Sequence, residues 1–107
     1  MSTELHAQIR ALIEQRKVRL SVHGHARLTK RGILFADVMH GAASGELIEA
    51  YPDYFVGPAI LMLQADRGGR PIHAVWGIEN GTDEPAVLVT AYYPDSAAWS
   101  ADFRSRK

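Results

Sequence analysis

Cysteine is absent from all 107 residues. That absence removes disulfide cross-links, thiolate zinc sites and cysteine nucleophiles together, and it suits a reducing compartment. Long apolar runs are missing too: none approaches the roughly 20 residues that a membrane-spanning helix needs. The opening residues, Met1-Ser2-Thr3-Glu4-Leu5, are polar and acidic, unlike the basic stretch and apolar core of a secretion signal. Net charge of either sign is lacking, since 12 Lys and Arg balance 12 Asp and Glu, which disfavours a chain that coats nucleic acid nonspecifically. There is no glycine-rich phosphate loop, because Gly68-Gly69 leads into Arg70-Pro71 and an extended segment. No serine sits on a nucleophile elbow. We therefore read the chain as a soluble, cytoplasmic protein with no membrane partner.

What is present describes one ordinary globular domain. Apolar residues make up 47% and charged residues 22%, enough to build a single core without staples at this length. No repeat, low-complexity segment or linker divides it. From Glu4 to Lys17, Leu5, Ile9, Leu12 and Ile13 fall on one helical face, with Ser2 or Thr3 available as a cap. Ser21 opens a second predicted helix running to Arg31, with Val22, Ala26, Thr29 and Ile33 as its inner stripe. Gly32 is the expected C-cap, since it tolerates positive φ. Gly24 disfavours a helix interior by about 1 kcal/mol, which argues for a regular turn beginning after it. A third helix is expected from Phe35 to Ser44, burying Val38, Met39 and Ala42.

After Gly45 the period becomes extended. Four strands are predicted: Glu46 to Tyr51 at an edge, Ala59 to Ala65, Pro71 to Glu79, and Pro85 to Tyr93. Asp66-Arg67-Gly68-Gly69-Arg70 marks a turn, and Asn80-Gly81 lies in a longer loop. The Pro52–Pro58 loop carries Tyr54 and Phe55. In the tail, Trp99 and Phe103 are four apart, as in a short helix closing over an edge. Helices followed by consecutive strands imply an α+β fold: N-terminal helices packed on one face of a four-stranded antiparallel meander.

The segment Ser21 to Ile33 concentrates the candidate chemistry. On a helix, His23, Arg27 and Arg31 share one face with Lys30 beside them. Cationic groups stacked this way repel unless an anion or an acid answers them. Phosphate is one answer, held by Arg27, Lys30 and Arg31, with an imidazole at hand to move a proton. The plainer answer is pairing of Arg27 and Arg31 with Glu46 or Glu49, with His23 as an N-cap. His73, inside a strand, is either a cleft-facing acid–base group or a core histidine with one satisfied hydrogen bond. Thr90 and Tyr92 share one strand face and can position a phosphate or ribose hydroxyl, or are there as good strand formers. The five histidines do not make a metal site, because His23 and His25 diverge on a helix and no carboxylate stands at a standard spacing. No metal or other cofactor is expected.

Taken together, the strings His23-x-x-x-Arg27-x-x-x-Arg31-Gly32-Ile33, Gly45-Glu46-x-Ile48-Glu49-x-Tyr51-Pro52, Gly69-Arg70-Pro71-Ile72-His73 and Val89-Thr90-x-Tyr92-x-Pro94-Asp95 resemble a bacterial family catalogued as "domain of unknown function 4258". The resemblance runs from Ser21 to Asp95. It leaves residues 1–17 as a variable N-terminal helix and 96–107 as a tail. It implies a domain similar to the barnase, EndoU, colicin and RelE-like ribonuclease toxins, with RNA and a small antitoxin protein as partners. His23, Arg27, Arg31, His73, Thr90 and Tyr92 are the recurring positions that would serve as its site. The implied reaction is metal-independent RNA cleavage, with His23 or His73 moving protons, Arg27 and Arg31 stabilising charge, and Thr90 or Tyr92 positioning. It requires His23 and His73 to converge on one phosphodiester. The competing reading is a protein-binding or regulatory module of the immunity or antitoxin kind on the same fold, which the neutral charge and the Tyr54-Phe55 loop favour.

Overall fold

The switch from helical to alternating period at Gly45 is where the last helix gives way to four consecutive strands. The computed structural model describes residues 2–107. Among them the elements follow as α1 (Ser2–Glu14), β1 (Val18–Leu20), α2 (Val22–Arg31), α3 (Phe35–Ala42), β2 (Glu46–Tyr51), β3 (Ala59–Ala65), β4 (Pro71–Gly77) and β5 (Ala86–Tyr92). The fold is α+β. β2 to β5 form the antiparallel meander, with β2 at an edge. The sheet nevertheless has five strands and is mixed, in the order β1-β5-β4-β3-β2. β1 lies parallel to β5, with Val18 opposite Ala86 and Leu20 opposite Leu88. At three residues it is too short for an alternating pattern to reveal. α1 also stops short of Lys17, because Arg16 takes φ 62° and reverses the chain into β1.

The core lies between the helices and one sheet face. Ile9, Leu12 and Ile13 from α1 and Val38 and Ala42 from α3 meet Ile60, Met62, Ile72, Ala74, Trp76 and Leu88. α1 also braces the turn that follows α3, whose carbonyls have no helical partner. Arg10 donates to Ala43 O at 2.6 Å and His6 Nε2 to Gly45 O at 2.8 Å. Gln64 is buried but satisfied, donating to Val38 O at 2.7 Å and accepting from Trp76 Nε1 at 2.9 Å.

α2 has the expected caps but not the expected inner face. Ser21 Oγ accepts from Gly24 N at 2.8 Å, which makes Ser21 and not His23 the N-cap, and Gly32 closes the helix at φ 68°. The predicted stripe of Val22, Ala26 and Thr29 is exposed, while Gly24 and Leu28 are buried, followed by Ile33 in the core. The reason is where the helix docks. β1 covers β5 only as far as Leu88, and α2 lies along the rest of that edge. A Cβ on Gly24 would stand 2.7 Å from Leu88 O and 3.0 Å from Val89 O, so this turn must be glycine to come so close. Gly24 therefore belongs inside the helix, contrary to its propensity. The tail differs as well: Trp99 and Phe103 lie in a string of turns, joined by an isolated bridge between Trp99 and Arg106.

Candidate functional site

The site lies on the sheet face opposite the core. Along β4, His73, Val75 and Gly77 alternate with core-facing Ile72, Ala74 and Trp76. β5 presents Ala86 and Leu88 to the core, and then Ala91, a change of parity. A bulge supplies it: Val75 pairs with Thr90 but Trp76 with Leu88, leaving Val89 as the extra residue. It keeps Thr90 and Tyr92 on the outer face with Val87. The expectation that Thr90 and Tyr92 share a face is met, through an irregularity that the sequence does not announce.

Two neighbourhoods divide the predicted residues. The first is a cleft of about 410 Å³ between the start of α2 and the Tyr54–Gly57 loop, floored by Gly77, Val87 and Val89. His23 and Arg27 line one wall, one helical turn apart, and Tyr54 and Phe55 stand in the opposite loop with rings 5.1 Å apart. Arg19 and Glu79 also line the cleft and pair with each other. Among the described residues no carboxylate pairs with Arg27, His23 or Lys30. The acids expected to neutralise the α2 arginines are taken elsewhere. Glu46 accepts from Arg104 at 2.7 and 2.8 Å, and Glu49 from Arg106 at 2.7 and 3.0 Å.

The second neighbourhood begins where α2 ends. Arg31 donates through Nη1 to Thr90 Oγ1 and to Ala91 O, both at 2.9 Å, and its guanidinium lies 5.9 Å from the Tyr92 ring centre. It thus fastens α2 to the bare edge of β5. Tyr92 in turn meets His73, whose residue is fully buried. Phe103 O can only accept, so His73 Nε2 carries the proton and donates to it at 2.8 Å, while Nδ1 accepts from Tyr92 Oη at 3.2 Å. The Trp99 ring stands edge-on to the imidazole at 4.4 Å. Burial lowers the His73 pKa below its ordinary value and raises that of Tyr92. Glu49, beside this group, accepts from Tyr51 Oη at 2.7 Å, and burial pushes Tyr51 up to about 12.

These placements decide the geometry of the predicted set. His23 and Arg27 meet in the open cleft; Arg31, Thr90, Tyr92 and His73 form a connected row; Lys30 is exposed beside them. His23 and His73 do not converge. Arg31, which adjoins the His73 row, is eight residues and therefore about 12 Å of helix from His23. No group of three or more His, Asp or Glu side chains gathers as for a metal ion among the described residues. Sequence reasoning missed Arg19 and Glu79 as cleft residues, and it had Trp99 and Phe103 closing over an edge in a short helix, where they cover His73 from a string of turns.

His23, Arg27, Arg31, His73, Thr90 and Tyr92 all fall within a segment matched by a single family model, over residues 20–93. The chain belongs to the family described as Domain of unknown function (DUF4258). In this DUF4258 chain the matched segment starts at the end of β1 and ends just after β5, while α1, Arg19 of the cleft and the tail with Trp99 and Phe103 lie outside it. No curated protein and no solved structure matches the chain.

Proposed function

We propose that this DUF4258 domain is a toxin-like, metal-independent endoribonuclease related in fold to RelE and barnase, and that the α2 cleft seats a nucleotide of single-stranded RNA. One observation carries the reading: a guanidinium with no carboxylate partner among the described residues and an exposed imidazole, Arg27 and His23, share a mostly apolar cleft with an aromatic pair on the far side. Single-stranded RNA is recognised by that combination, with bases stacked on aromatic faces and phosphates held by arginine. In cleavage, His23 takes the 2′-hydroxyl proton and the 2′-oxygen attacks the adjacent phosphorus. Arg27 stabilises the added negative charge. The bond to the 5′-oxygen breaks, water protonates that oxygen, and a 2′,3′-cyclic phosphate remains. The natural partners of such a domain are cellular RNA and a small antitoxin protein in the cytoplasm.

The test compares wild type with Arg27→Ala and His23→Ala on a fluorescent RNA oligonucleotide. We expect affinity that falls steeply with salt. Arg27→Ala should weaken it by about tenfold, the worth of one charge-assisted hydrogen bond. His23→Ala should bind but release no cyclic-phosphate product. Salt-insensitive binding, or none, counts against the reading.

A second reading has an observation of its own. Phe55 is 82% exposed and Val56 44%, an apolar rim on the same cleft. A non-catalytic module would use that rim to hold a protein partner, with little salt dependence and with loss of binding in Phe55→Ser.

A further inference from the structure

The row Arg31, Thr90, Tyr92 and His73 has the composition of a phosphate-handling site, yet its imidazole is sealed by the C-terminal segment. The cover is slight in construction. Residues 99–107 contain no helix and no strand beyond the single bridge between Trp99 and Arg106. Trp99 is their one buried side chain, set edge-on against His73 and under the Arg106 guanidinium, 4.7 Å from the ring centre. Two ion pairs tie the rest to β2: Arg104 with Glu46 and Arg106 with Glu49. Each arginine is about half exposed, and exposed pairs of this kind add little and weaken with salt. Phe103 sits at φ 60°, an uncommon conformation for a bulky residue, at the point where its carbonyl reaches His73. Small residues, Ser96, Ala97 and Ala98, connect this segment to the end of the sheet.

We propose that residues 99–107 are an autoinhibitory strap. When they lift from the sheet, His73 Nε2 and the Tyr92 hydroxyl open to the same outer face as the α2 cleft. The proposal rests on the RNA reading of that cleft. With the strap open, RNA seated by His23 and Arg27 runs on along β5 toward Arg31 and His73. Gly77 in the cleft floor and His73 are four residues apart on one strand, about 13 Å, a distance that two or three nucleotides span.

The experiment reads the accessibility of His73 directly, by carbethoxylation with diethylpyrocarbonate at neutral pH and localisation by mass spectrometry. In wild type we expect slow modification, with amides of residues 99–107 exchanging hydrogen well ahead of those of β4 and β5. In R104E/R106E the His73 rate should rise at least tenfold, roughly the change expected of a local opening made easier. Adding E46R/E49R to the same chain should restore protection. Tail amides as slowly exchanging in wild type as the strands would overturn the proposal whatever the variants do. So would an R104E/R106E protein with native circular dichroism and an unreactive His73. RNA cleavage is scored separately: a reactive His73 without cleavage in the opened variant keeps the strap and removes the nuclease reading.

Discussion

Gly24 shows how a single hydrogen atom in place of a methyl group decides where α2 can sit. Alanine there improves helix propensity by about 1 kcal/mol. Its Cβ would also press on two backbone carbonyls of β5, at 2.7 and 3.0 Å, which cannot swing aside as a side chain can. Crowding of this kind costs about 1–3 kcal/mol, so the contact outweighs the propensity. Gly24→Ala should therefore lower the urea midpoint. Gly68→Ala, whose Cβ would meet only the Asp66 carboxylate at 3.4 Å, should leave it unchanged. The two arginines one turn apart on α2 make a similar contrast. Arg31→Ala removes both the Thr90 and Ala91 hydrogen bonds and should destabilise, whereas Arg27→Ala should shift stability by no more than about 0.5 kcal/mol. A loss on both counts, or on neither, in chemical denaturation would contradict this division between a fastening residue and a free one.

At the scale of elements, β5 is the strand on which everything converges, and its edge is shared between β1 and α2. The helices and the four-strand meander were readable from period and turn residues, because each is long enough for its pattern to repeat. β1 was not, since three residues carry no period and their pairing partner lies at the far end of the chain. The inner face of α2 was misread for a related reason. Apolar spacing selects Val22 and Ala26, but the helix meets a strand edge rather than a sheet face, and there the smallest residue wins. The candidate residues were all visible as types. What the sequence could not supply was their separation into an open cleft and a covered row, because that depends on the Val89 bulge and on where the tail lies. Glu46 and Glu49 illustrate the limit. Pairing with the α2 arginines was one of the two readings open to them, and they bind Arg104 and Arg106 instead. Mutual replacement should reveal it: E49R alone should loosen the tail, measured as faster amide exchange at Trp99, and R106E added to it should restore protection.

For the molecule as a whole, the buried histidine makes stability depend on pH. His73 is held neutral by burial, with its folded pKa below the ordinary value. The unfolded chain takes up that proton at about pH 6.5. Below that point the unfolded state binds more protons than the folded one, so the stabilising contribution is full above pH 6.5 and is lost as the pH falls. Asp37, Glu46 and Glu49, each held low chiefly by hydrogen bonds from Arg67, Arg104 and Arg106, lose their contributions only at more acid pH, below their ordinary values of 3.8 and 4.5. We expect the urea midpoint to fall between pH 7.5 and 5.5 in wild type and to fall less in His73→Phe; equal slopes would remove His73 as the cause. The parallel pairing of β1 with β5 has a different consequence, one of timing. Val18 and Ala86 stand near opposite ends of the chain, so β1 and α2 are made early but have no surface to rest on until the last strand exists. On a ribosome the first third of the chain must wait, and the sheet closes only after Tyr92 has emerged. Closing so distant a contact late places this topology among the slower-folding small domains.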